Sequence, residues 1–317
     1  MLPTLDDVRE ALPRLAGIAN RTPLVRLDLP GAPAEIWLKL ENLQPIGSFK
    51  IRGAANAIAA ISPERLARGV LTASAGNMAQ GAAWCARARG VPCTVIAPDT
   101  APATKLRAIE RLGGKVFLEP FDRWWQAFEE RTYPGVDATF LHAFDDPFVM
   151  AGNGTIGLEI LDDLADVDAI VVPWGGGGLF SGIASAVRPV SPKTRLYTAE
   201  CDTGAPLAAS LAAGKPTAVP FRKSFVDGIG SKSVFPAMFE RARPLIRNAL
   251  VATVAEVAAA VRILVERGRV IAEGAGACSL ACALAGGAGR GRVVCVISGG
   301  NIDPEPLSAA LVGEAPC

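Results

Sequence analysis

Short runs of β-branched and aliphatic residues alternate along the chain with longer, Ala-rich stretches of helical period. The runs at 36–40, 70–73, 93–97, 115–118, 139–141, 169–172, 195–199 and 293–297 predict strands. The stretches at 53–61, 78–89, 104–112, 124–131, 156–164 and 254–266 predict helices. Alternation on this scale predicts an α/β fold with mostly parallel sheets. Such sheets bind ligands beyond the carboxyl ends of their strands. The loops that follow strands are therefore where chemistry is sought.

At 317 residues the chain has room for two domains. Half of the residues are hydrophobic, and 32 basic residues are interspersed with 31 acidic ones for a net charge of +1. Without a basic tract, nucleic acid is not an expected partner. No apolar run has the length of a membrane span, and the first residues lack the apolar region of a signal peptide. The seven scattered cysteines form no CxxC and read as reduced, buried thiols of a cytoplasmic protein. Cys278 and Cys282 share a helix face, but no histidine is near in sequence to complete a zinc site. His142 is the single histidine, which argues against Ser-His-Asp, Cys-His and multi-histidine metal chemistry.

Four loops and one bend carry candidate chemistry. In Gly47-Ser48-Phe49-Lys50, a lysine stands between Phe49 and Ile51, where an apolar setting lowers an amine's pKa and makes it a nucleophile or base. Ser74-Ala75-Gly76-Asn77-Met78 follows a strand and enters a helix. Ser74 or Asn77 is either the helix cap or part of a nest of amides that receives a carboxylate. Gly175-Gly176-Gly177-Gly178 also follows a strand, and four glycines suit a backbone wrapped around an anion such as phosphate. There is no GxGxxG register, although Glu200 ends the following strand as a ribose-binding acid would, so a dinucleotide fold is a rival reading. Ser298-Gly299-Gly300-Asn301 offers a hydroxyl at a strand end, as a turn former or a ligand partner. The loop from Phe225 to Lys232 reads equally as an active-site loop or a surface turn.

Taken in order, Arg21-Thr22-Pro23-Leu24, the Lys50 bend, Ser74-Ala75-Gly76-Asn77, Ala151-Gly152-Asn153-Gly154-Thr155-Ile156, the tetraglycine and Ser298-Gly299-Gly300-Asn301 resemble one family over nearly the whole chain. It is the threonine/serine dehydratase and serine racemase branch of the pyridoxal-phosphate enzymes with the tryptophan-synthase β-subunit fold (fold type II). The resemblance implies two three-layer α/β/α domains with the cofactor, pyridoxal 5'-phosphate, in the cleft between them. Residues 1–54 and 146–317 would form the large cofactor domain, and 55–145 the small substrate domain. Lys50 would hold the cofactor through its amine and act as base toward the α-proton. Phe49 would pack on the cofactor ring, Asn77 would bond its phenolic oxygen, Gly175 to Gly178 would hold its phosphate, and Ser298 would face its ring nitrogen. Glu273 resembles a family carboxylate near the cofactor. Ser74, Ala75, Gly76, Asn77 and Met78 would receive the amino-acid substrate, with Arg123 and Ser231 closing over its carboxylate.

The implied activity is β-elimination from a β-hydroxy-α-amino acid such as L-threonine or L-serine, giving a 2-oxo acid and ammonia. A homodimer is the implied assembly. Cysteine-synthase-like β-replacement and racemisation are the enzymatic rivals, and an NAD-binding oxidoreductase is the rival of another class. A non-catalytic amino-acid-binding protein is a further alternative, against which an intact Lys50 counts.

Three departures stand out. Met78 occupies a place where dehydratases of this branch carry histidine, and Trp124, Trp125 and Trp174 are unusual company. They suggest a larger or more apolar β-substituent, such as the aryl group of a phenylserine-like substrate, against the alternative that they pack away from the site as core. Ala75 stands where racemases place a serine base. Glu200 and Gly204 match two cation ligands of the branch, but Pro206 stands where the acid is expected, so no metal is assigned.

Overall fold

A computed structural model describes residues 1–316; Cys317, one of the seven thiols, lies outside the described residues. The described strands are β1 Leu24–Arg26, β2 Glu35–Lys39, β3 Val70–Ala73, β4 Cys93–Pro98, β5 Gly114–Glu119, β6 Thr139–Phe140, β7 Ala169–Pro173, β8 Arg195–Cys201, β9 Asn248–Ala252 and β10 Arg292–Val296. They form a six-stranded sheet in the order β1-β2-β10-β7-β8-β9 and a four-stranded sheet in the order β5-β4-β3-β6. Every pairing is parallel except β1 with β2. The four-stranded sheet comes from the middle of the chain, and the six-stranded sheet from both ends.

Both sheets are buried on both faces, which is why their strands read as apolar runs rather than alternations. In β7, Ala169 and Val171 enter one apolar cluster while Ile170 and Val172 enter the cluster on the opposite face. In β3, Val70 and Leu71 divide in the same way. The eight predicted strands all form, within a residue or two at each end. The two that were not predicted, β1 and β9, are edge strands with partly exposed residues, and pairing with β2 and β8 supplies what their short patterns lack.

Two helices begin earlier than their patterns suggest. The predicted 53–61 segment is helical from Lys50 to Ala59, so Lys50 is in its first turn. The predicted 156–164 segment runs from Pro147 to Asp163. Asp146 caps it, its carboxylate accepting from the Phe148 and Val149 amides at 2.8 and 3.1 Å, and Pro147 occupies the first turn. Glycines at 152, 154 and 157 dilute the helical signal there. They serve packing, since a Cβ on Gly152 would lie 2.4 Å from the Arg52 carbonyl oxygen. Among the described residues no helix is long and apolar enough to cross a membrane.

Candidate active site

A cavity of about 530 Å³ opens beyond the carboxyl ends of β3, β4, β7 and β10. Parallel sheets present ligand crevices there because their crossover loops leave room at that end. Phe49, Lys50, Ser74, Ala75, Gly76, Asn77, Met78, Gly175 to Gly178, Ser231, Glu273 and Ser298 all line it.

Lys50 is placed by a pinned bend. Gly47 has φ +70°, a left-handed conformation that favours glycine, and a Cβ there would meet Asn301 Oδ1 at 2.6 Å. The Gly300 amide donates to the Gly47 carbonyl at 2.8 Å, and the Phe49 amide donates to the Ser298 carbonyl at 3.0 Å. The loop after β10 thus holds the bend against the cavity. The Lys50 amine donates to the Ala143 carbonyl at 2.6 Å and forms no ion pair among the described residues. Burial pushes its pKa down to about 8, and the Glu273 carboxylate partly opposes the shift.

The single histidine contributes to this placement. His142 Nδ1 accepts from the Phe144 and Asp145 amides at 3.3 and 2.8 Å, which fixes the segment carrying the Ala143 carbonyl. Burial holds its pKa down to about 4, so the ring is neutral and Nδ1 is free to accept.

In the loop after β3 neither Ser74 nor Asn77 acts as the helix cap. Gly76, not Ser74 or Asn77, precedes the helix Asn77–Ala88, and no side chain caps it. The Ser74 hydroxyl accepts from the Gly76 amide at 3.2 Å. The Asn77 amide group donates to Glu273 Oε1 at 2.9 Å and accepts from Asn301 at 2.8 Å. Burial, then repulsion from Asp227, raises the Glu273 pKa to about 7. Asn301 positions Asn77 from outside the cavity lining, a role that its place in the Ser298 block signalled only indirectly.

After β7, Gly177 takes φ +87° and the helix Gly178–Val190 follows directly. A Cβ on Gly176 would overlap the Phe144 ring at 2.1 Å, and one on Gly178 would meet the Phe144 carbonyl oxygen at 2.7 Å. Only glycine fits either place. No hydrogen bond from the amides of Gly175 to Gly178 is found among the described residues. Unpartnered amides at a helix N-terminus form an anion cradle.

Two expectations are corrected. Arg123 does not reach the cavity. It pairs with Glu119 at 3.3 Å, one turn away, and its side chain is 62% exposed. Trp174 does not enlarge the cavity either. It is buried beneath the tetraglycine, 6.0 Å from the Phe180 ring, and a Cβ on Gly177 would lie 2.6 Å from its Cη2.

Residues 15–299 match the family model described as pyridoxal-phosphate dependent enzyme. The chain belongs to the pyridoxal-phosphate-dependent enzyme family. It is 42% identical to an L-threonine ammonia-lyase of Thermotoga maritima over 310 residues, covering 95% of this chain and 76% of the relative. It is 36% identical to a catabolic L-threonine dehydratase of Staphylococcus aureus, covering 97% and 92%. The solved structure of maize serine racemase superposes with a TM-score of 0.90 at 30% identity, covering 98% of each chain. The structure of the fold type II enzymes is thus reproduced here, and the dinucleotide reading falls. Glu200 has no ribose to bind: both its oxygens accept amides at the start of the helix Pro206–Ala213, from Leu207 at 2.9 Å and Ala208 at 2.8 Å.

The residues present fit the family's cofactor. An amine of lowered pKa, an unpartnered glycine cradle, the apolar Phe49 and Ser298 just beyond β10 line one cavity.

Proposed function

We propose that this enzyme eliminates water from a β-hydroxy-α-amino acid such as L-threonine or L-serine, and that water is regained as ammonia is released, leaving a 2-oxo acid. The observation that carries the reading is a partly buried amine that makes no ion pair, Lys50, in one cavity with a serine, Ser298, rather than an acid just beyond β10. The 42% identity to a threonine ammonia-lyase supports it.

When bound, pyridoxal phosphate draws electrons from the substrate's α-carbon and acidifies its proton. The chain's own residues do the rest. Gly175 to Gly178 would hold the phosphate with their amides, and Lys50 would hold the cofactor until substrate arrives. Asn77, oriented by Glu273 and Asn301, bonds the ring oxygen. Ser298 offers the ring nitrogen a neutral hydroxyl, and a neutral partner leaves the ring a weaker electron sink than a carboxylate would. That favours prompt loss of the β-hydroxyl over a long-lived carbanion. The Ser74–Met78 loop amides and Ser231 receive the substrate carboxylate. Lys50 Nζ would accept the α-proton, and a proton equivalent to it would leave with the hydroxyl as water, so the elimination is neutral overall. Water then returns to the released imine and frees ammonia, so the net change is amino acid to oxo acid plus ammonia.

Ala75 carries no group able to deliver a proton to the opposite face, so racemisation is not favoured. The division into 1–54 with 146–317 and 55–145, a homodimer and a cytoplasmic setting complete the proposal, each supported by the family resemblance. The test is the visible spectrum of the purified protein while 2-oxo acid is measured over a panel of β-hydroxy amino acids. Oxo acid with a shifting cofactor band is the expected outcome. A coloured protein that makes none from any member sinks the reading, as does D-serine formed from L-serine faster than pyruvate.

A further inference from the structure

We infer that the substrate's β-carbon carries an aryl group, so that a phenylserine-type amino acid is preferred to threonine or serine; the inference rests on the dehydratase reading above. Its basis is the aromatic wall of the cavity, which starts at Phe144 against the glycine cradle and runs away from it. Met78, Trp124, Trp125, Phe128, Phe144 and Phe235 all line the cavity. The rings form one contiguous cluster. Trp125 lies 5.3 Å from Phe128 and 6.1 Å from Phe235, and Phe144 lies 4.6 Å from Phe235 and 5.8 Å from Phe128.

These rings are not merely core. Trp124, Trp125, Phe144 and Phe235 keep exposed surface, and Trp125 is held in place between Phe121 on one side and Phe128 on the other. A preformed aromatic surface of this kind is complementary to another ring, which can pack edge-to-face or offset against it. A threonine methyl covers little of it. The helix Phe121–Glu130 supplies one part of the wall, and Phe235, before the helix Pro236–Ala242, supplies the other. A bound aryl group would be gripped from both sheets' sides of the cavity.

The charges nearby point the same way. Lys105 lines the cavity, but it is paired with Asp227, so an acidic substituent finds no free cation there. Arg123 is turned outward onto Glu119. His142 is neutral, with Nδ1 occupied by two amides. Met78, at the position where the dehydratase branch usually carries a polar histidine, is 2% exposed and packed in the core, so it brings no polar group to the cavity.

The proposal is tested by kcat/KM of the holoenzyme for L-threo-phenylserine, L-threonine and L-serine. For phenylserine the elimination converts the amino acid to phenylpyruvate and ammonia with the same balance as above. The expected result is a preference for phenylserine over threonine of about tenfold or more, the size of effect an extra apolar group commands in a fitted pocket. Trp125→Ala is expected to lower the phenylserine-to-threonine ratio by roughly tenfold. The cofactor absorption band shows whether that variant folds, and Phe235→Ala reads the same ratio if it does not. Threonine or serine turned over as well as phenylserine overturns the aryl proposal and leaves the dehydratase reading standing. So does an unchanged ratio in a folded variant. No oxo acid from any of the three removes the dehydratase reading itself.

Discussion

Lys50 and Arg52 stand two residues apart in the first turn of one helix, Arg52 fully buried and Lys50 partly buried at the cavity wall. Their surroundings are opposite. Arg52 is 1% exposed and its guanidinium reaches two carboxylates, Glu41 at 2.8 Å and Glu159 at 2.6 Å. Lys39, fully buried, completes the cluster on Glu159 at 2.6 Å, so two cations face two anions. Burial alone would raise the Glu41 pKa, but Arg52, Thr22 and Lys39 outweigh it and hold the carboxyl below its usual range. Lys50 has only the Ala143 carbonyl. A buried charge with its counter-charges present belongs to the scaffold; a partly buried amine without one is held ready for reaction. The two residues share a helix, and the step of two positions turns them to different sides of it, one toward Glu41 and Glu159 and one into the cleft.

The comparison is broken most directly at Lys50. Lys50→Ala is expected to lower oxo-acid formation by roughly 10³-fold or more, since the group that moves the proton is removed. Its urea midpoint should stay near that of the parent, because no ion pair is lost. A variant retaining a tenth of the activity would show that another group takes the α-proton.

The opposite pattern is expected at Arg52. Arg52→Ala leaves Glu41 buried without its main partner, and removing one member of such a cluster costs about 3–5 kcal/mol. Urea unfolding followed by fluorescence should read that loss, while whatever folded enzyme remains still turns over substrate. A midpoint unchanged from the parent would mean that the cluster is dispensable and that the contrast with Lys50 is not one of scaffold against chemistry.

How much of this contrast the sequence displays depends on where the partners come from. The Lys50 bend, the Ser74 loop, the tetraglycine and Ser298 were legible because each follows a strand or opens a helix, and local pattern places strands well. Glu41, Glu159 and Lys39 were not, because 120 positions separate Lys39 from Glu159 and only folding joins them. The aromatic wall is legible in half. Trp124 and Trp125 are conspicuous in the chain, but Phe144 and Phe235 reach them from other elements. Arg123 was misassigned for a related reason: one residue along a helix turns the side chain by about 100°, so the neighbour of two cavity-lining tryptophans faces water. For Trp174 the structure selects the core alternative: its ring supports the glycine loop from below.

The smallest expected effect sharpens the comparison most, because it reads the Lys50 amine itself. Only a neutral amine condenses with an aldehyde, so the rate at which the apoenzyme takes up pyridoxal phosphate follows the deprotonated fraction of Lys50. Burial lowers that pKa to about 8. Uptake should therefore rise with pH to half its limit near 8, more than two units below the ordinary value of a solvated lysine. The negative Glu273 carboxylate opposes the shift, and its own pKa of about 7 means that it is charged through most of this range. Glu273→Gln removes that opposition. The uptake midpoint should then move to lower pH by a fraction of a unit, since the cation loses a stabilising neighbour while its desolvation is unchanged. A midpoint near 10 in the parent would mean that water reaches the amine and that Lys50 is no more poised than a surface lysine. A midpoint that rises in Glu273→Gln would mean that the carboxylate acts on the amine through geometry rather than charge, by way of its hydrogen bond to Asn77.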